Sequence, residues 1–103
     1  MKRLLLLPFA LLMPAAHAVD YVKCDAMEKA LVRVNLQKEG VGKVAYEEKQ
    51  QELCGADYGC RIKSVDGVMI NHVAGWQARD AAEAAFADKI AKIESDIEQE
   101  GCP

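Results

Sequence analysis

Apolar residues recur at Ala82, Phe86, Ile90, Ile93 and Ile97. Steps of four, four, three and four place them on one face of an α-helix. No proline or glycine interrupts residues 77–100, and charges fill the other faces, with Asp88 and Lys92 spaced for an i,i+4 pair. Gly101 stands where a helix C-cap belongs and Pro103 follows it. Gln77–Glu100 is therefore expected to be the longest helix. Nearer the N-terminus, Cys24, Met27, Leu31 and Val34 step by three, four and three, with Ala30 beside them and Asp20 placed as an N-cap. Gly40 and Gly42 are expected to end or bend this helix. A second helix with few apolar residues (Val44, Ala45, Tyr46 and Leu53) then runs from Lys43 to Cys54.

The segment 60–76 fits two patterns. Asp66-Gly67 between two apolar runs is a two-residue hairpin signal, and it would set Val65 opposite Val68. Neither face of that hairpin is cleanly apolar. As a helix, Val65, Val68, Met69, His72, Val73 and Trp76 form one stripe, at a cost of ~1 kcal/mol for Gly67. The helix is preferred, with a break near Gly75 because Arg79, Asp80 and Glu83 fall out of phase with the stripe.

These pieces make an all-α, disulfide-stapled bundle of three to four helices. The alternative is an α+β fold with a short hairpin at residues 60–73. If the helices alternate up and down, Cys24, Cys54, Cys60 and Cys102 all fall at one end of the bundle. Two pairings then join neighbours: Cys24–Cys102 with Cys54–Cys60, or Cys24–Cys54 with Cys60–Cys102. The first is favoured, because it ties the two ends of the domain, and the crossed pairing would span diagonals.

The first eighteen residues follow a different grammar. Lys2 and Arg3 precede an apolar stretch from Leu4 to Met13, Pro14 interrupts it, and Ala16-His17-Ala18 offers small residues around a cleavage point. This is the pattern of a cleavable secretory signal, with the mature chain beginning at Val19. The apolar stretch is about half the ~20 residues a bilayer span needs. Tyr21-Val22-Lys23 before Cys24 lacks the small residues of a lipidation signal. Residues 19–103 are then one small domain, periplasmic or extracellular, in a compartment that permits disulfides.

Cleavage removes two of 13 basic residues and none of 16 acidic ones, so the mature net charge is 11 − 16 = −5. An acidic chain with scattered cations opposes nucleic acid and anionic lipid, so neither is expected as a partner. Catalytic chemistry is sparse. The chain has no threonine, and Ser64 and Ser95 are its only serines. Neither sits in a hydrolase nucleophile motif. His72 is the one histidine after cleavage, and it lies on the apolar stripe. No zinc-protease, calcium-loop or phosphate-loop pattern occurs, and the acids Glu94, Asp96, Glu98 and Glu100 spread around their helix. No catalytic residue, cofactor or metal site is assigned.

What remains is recognition of an unknown protein or envelope component. Asp57 and Tyr58 lie in a short turn, Gly55–Gly59, bracketed by Cys54 and Cys60, a setting that would present them rigidly. Trp76, the single tryptophan, either completes the core or anchors a partner, with the core preferred. The run Trp76-Gln77-Ala78-Arg79-Asp80 resembles a stretch of small exported helical proteins of the lysozyme-inhibitor type in which Arg-Asp follows a tryptophan. The resemblance covers five residues, without matching cysteine spacing. It implies, as the alternative function, an inhibitor of an exported enzyme such as a lysozyme. A small hydrolase or redox enzyme ranks last.

Overall fold

The computed structural model describes residues 18–103. The secretory signal expected over residues 1–18 lies, apart from Ala18, outside the described residues. In chain order the elements are α1 (Tyr21–Cys54), α2 (Tyr58–Arg61), β1 (Ser64–Val65), β2 (Val68–Met69), α3 (Ile70–Ala84) and α4 (Ala87–Glu100). The chain is an all-α, disulfide-stapled bundle with one small antiparallel hairpin. α1 runs out as a single rod, and α3 and α4 return along it.

The longest helix is α1, at 34 residues, rather than the C-terminal segment. Asp20 caps it as expected, its carboxylate accepting from Lys23 N at 3.0 Å. Gly40 and Gly42 do not end it. A mid-helix glycine costs ~1 kcal/mol relative to alanine, an amount that tertiary contact overrides. Here the backbone of Gly42 is buried against Glu83, and the Glu39–Lys43 pair at 3.4 Å bridges both glycines on the outside.

Within residues 60–73, residues 64–69 form the hairpin that ranked second, and a helix begins directly after it at Ile70. Val65 pairs with Val68 and Ser64 with Met69. Asp66 and Gly67 take φ of 51° and 79°, the left-handed values that a two-residue turn of this kind demands. Both strands are exposed. With no core on that side to reward an apolar helical stripe, the turn chemistry of Asp-Gly decides the outcome. α3 then runs unbroken through Gly75. The interruption comes later, where Phe86 N donates to Glu83 O, three residues back, and separates α3 from α4. The hydrogen-bond ladder is broken there, but the stripe Ala82, Phe86, Ile90, Ile93 and Ile97 still lies partly covered along α1.

The disulfides are Cys24–Cys102 and Cys54–Cys60, the favoured pairing. They do not share an end of the molecule. Because α1 is unbroken, Cys24 and Cys54 stand about 45 Å apart at 1.5 Å per residue. One disulfide fastens the two termini and the other closes the far end. Beside the first, Glu100 accepts from Asp20 N and pairs with Lys23 at 3.2 Å.

Candidate functional site

The best-defined side-chain cluster lies where α1 meets α3. Gly75 is buried, and a Cβ placed on it would lie 2.6 Å from both Gln50 Nε2 and Tyr46 Cε2. The missing side chain is thus what lets the two helices approach. Gln50, only 1% exposed, donates through Nε2 to Asn71 O at 2.7 Å, in the first turn of α3. Its Oε1 is buried without a hydrogen-bond partner among the described residues. Asn71 in turn donates to Cys60 O at 2.8 Å, so the cluster is anchored to the stapled loop.

One turn away, Tyr46, His72 and Trp76 meet edge to face, with centroids 5.6–6.4 Å apart. Both ring nitrogens of His72 are engaged. Trp76 Nε1 donates to Nε2 at 2.8 Å, and Tyr46 Oη lies 2.6 Å from Nδ1. An indole N–H only donates, so Nε2 must accept. The neutral ring then carries its proton on Nδ1 and donates it to Tyr46. Long-range proton–nitrogen correlation spectra of the neutral imidazole should therefore show a protonated Nδ1 and a bare Nε2. Trp76→Phe should let the opposite tautomer appear, whereas an Nε2–H ring in the parent would contradict the arrangement.

Trp76 is not a core residue. It is 44% exposed, and the Arg79 guanidinium lies 4.7 Å from its ring centroid. Arg79 Nε also donates to Glu83 at 3.1 Å. A shallow cavity of about 260 Å³ opens beside this pair, lined by Asn35, Lys38, Glu39, Arg79 and Glu83. Its two cations face two carboxylates, so it offers no charge excess to a small ion. Among the described residues no group of three or more His, Cys, Asp or Glu is placed to hold a metal.

The other feature is apolar. Ile62, Val65, Val68, Met69, Ile70, Val73 and Trp76 are all exposed, although they fall within fifteen consecutive positions. Met69, Val73 and Trp76 step by four and three along the start of α3 and form an outward stripe. The helical periodicity noticed in the sequence is therefore present only in part: Met69 and Val73 are exposed, whereas His72 and Trp76 meet Tyr46 of α1.

Asp57 and Tyr58 lie beyond the end of α1. Asp57 is no free tip: its Oδ1 accepts from Cys60 N at 3.2 Å and caps α2. Tyr58 is 71% exposed. No hydrogen bond or ring contact joins it to Trp76 among the described residues, so these candidates occupy one end of the molecule without forming one cluster. Sequence reasoning missed Tyr46, Gln50 and Gly75. The signal available was a glycine inside an alanine-rich helix, flanked by His72 and Trp76 at i,i+4. No family model, curated protein or solved structure matches this chain.

Proposed function

We propose that this chain is an exported, non-catalytic protein that binds another protein or an envelope component through its hairpin end. The observation that carries the reading is the outward stripe Met69, Val73 and Trp76, continuous in sequence with the exposed hairpin. Scattered exposed apolar residues are ordinary, but a concentrated set marks an interaction site. The Cys54–Cys60 disulfide and the Asn71–Cys60 bond hold this end in place, which limits the entropy lost on docking. Export is supported by the N-terminal signal grammar and by two disulfides. No helix among the described residues is long and apolar enough to cross a membrane. A binding role agrees with a histidine whose two ring nitrogens are already engaged.

The narrower reading, an inhibitor of an exported enzyme such as a lysozyme, is favoured by one feature. Trp76 presents a half-exposed ring with Arg79 stacked on it, a pair suited to a binding hot spot.

Met69→Lys combined with Val73→Lys tests the surface and leaves the α1–α3 seam intact. Affinity for the partner captured by the parent chain should fall at least tenfold, about 1.4 kcal/mol. Tyr58→Ala, made separately, tests the α2 end without removing the Asp57 cap. Unchanged binding of the double lysine variant would defeat the assignment of this surface. So would turnover of a substrate by the purified chain that is lost on changing His72.

A further inference from the structure

We infer that His72 is a proton-operated latch on Trp76: one proton taken up by the imidazole frees the indole from the α1–α3 seam. His72 is the one histidine among the described residues, and Trp76 is the one tryptophan. Histidine side chains change charge between about pH 5 and 8, so the latch works in an ordinary aqueous range.

The first reason is the count of protons. Trp76 Nε1 donates to His72 Nε2 at 2.8 Å, and an indole nitrogen cannot accept. The bond exists only while Nε2 is bare. An imidazolium carries a hydrogen on both nitrogens, so flipping the ring restores no acceptor. Two donors then face each other, and the Trp76 bond is lost. The Tyr46 bond survives, because the phenol oxygen, 2.6 Å from Nδ1, can accept from either form of the ring. The proton therefore acts on one contact and spares the other.

The second reason is that nothing nearby offsets the loss. The indole meets Nε2 with its N–H edge, the positive rim of its quadrupole, so it offers the imidazolium no cation–π contact. Its face already holds Arg79, 4.7 Å from the ring centroid. No carboxylate pairs with His72 among the described residues. From α1, Tyr46 touches the ring, Glu47 pairs with Arg61 of α2, and Lys49 pairs with Glu52. β2, Val68–Met69, carries no charge. On α3 itself, Glu83 holds Arg79.

The third reason is room to move. Trp76 is 44% exposed, and its ring contacts on the seam are only Tyr46 and His72. Once the bond to His72 is gone, the indole can turn toward solvent with Arg79 still stacked on it. The consequence for the outward stripe rests on the binding reading above: Trp76 is presented in a fixed position while His72 is neutral, and docking weakens as acid protonates it.

Nuclear magnetic resonance of the disulfide-intact mature chain, titrated between about pH 8 and 5.5, tests the latch. This window lies above ordinary carboxylates and below ordinary phenols. The single indole Hε1 resonance should move upfield with the same midpoint as the His72 ring. Overhauser contacts between Trp76 and Tyr46 should fall by at least half. His72→Gln offers a carbonyl acceptor that does not titrate, so its Trp76–Tyr46 contacts should stay constant over the same range. Contacts that persist at full strength once His72 carries both protons, or an acid transition of the indole in His72→Gln like the parent's, would overturn the inference. These readouts need no partner. A chain that binds nothing at Val73 would defeat the binding reading and leave the latch standing.

Discussion

Replacing Cys24 and Cys102 together by alanine should destabilise the protein by about 4.5 kcal/mol, the loop-closure entropy for their sequence separation of 78. The same change at Cys54 and Cys60, separated by 6, should cost about 2 kcal/mol. A small domain commands ~5–15 kcal/mol in total, so the first variant should be close to unfolding while the second still melts cooperatively. The difference has a structural cause. The terminal disulfide holds α4 against the start of α1, where Glu100 also pairs with Lys23 and accepts from Asp20 N. With so few buried apolar residues, little else compensates. Urea unfolding followed by circular dichroism, at one fixed protein concentration, checks both values. Equal losses in the two variants would show that the unfolded chain is not the state these crosslinks act on.

Two glycines in two helices should respond to alanine with opposite signs. Gly75→Ala adds a methyl group 2.6–2.7 Å from the Tyr46 ring and Gln50 Nε2, far inside ordinary contact. The helix gains ~1 kcal/mol in propensity, but forcing α1 and α3 apart costs more. A net loss of about 2 kcal/mol is expected. The Trp76–His72–Tyr46 contacts should loosen with it, readable as a change in tryptophan fluorescence. Gly40→Ala meets nothing within 4 Å and should gain up to about 1 kcal/mol. If Gly75→Ala is also stabilising, the close approach of the two helices is not a feature of the protein in solution.

The contrast between these glycines also shows what could be read from the chain and what could not. Local periodicity located the apolar faces of both long segments, and Asp20 and Gly101 marked ends where they were expected. The nested disulfides followed from joining the two ends of the domain, although their placement at opposite ends of the molecule did not. The length of α1 was hidden because the backbone cost of Gly40 and Gly42 is visible locally, whereas the contact of Gly42 with Glu83 comes from 41 residues further on. The hairpin was judged by whether its alternation would bury one face. It buries neither, so Asp66 and Gly67 governed the turn by backbone conformation alone. Trp76 was placed inward on the same assumption that an apolar stripe faces a core. In a molecule only two helices thick, Met69, Val73 and part of the Trp76 ring are left exposed, while His72 meets Tyr46 of α1.

The proposed role rests on that outward stripe, and its most direct test is made in the exporting cell. A photoreactive residue is introduced at Val73, and in a second chain at Lys29, which is exposed and pairs with Asp25 on the same helix. Illumination should give a discrete adduct from Val73 and none from Lys29. The Val73 adduct should contain a second molecular species rather than another copy of the chain. No adduct at Val73, or the same adduct from both positions, would contradict a binding function at the hairpin end.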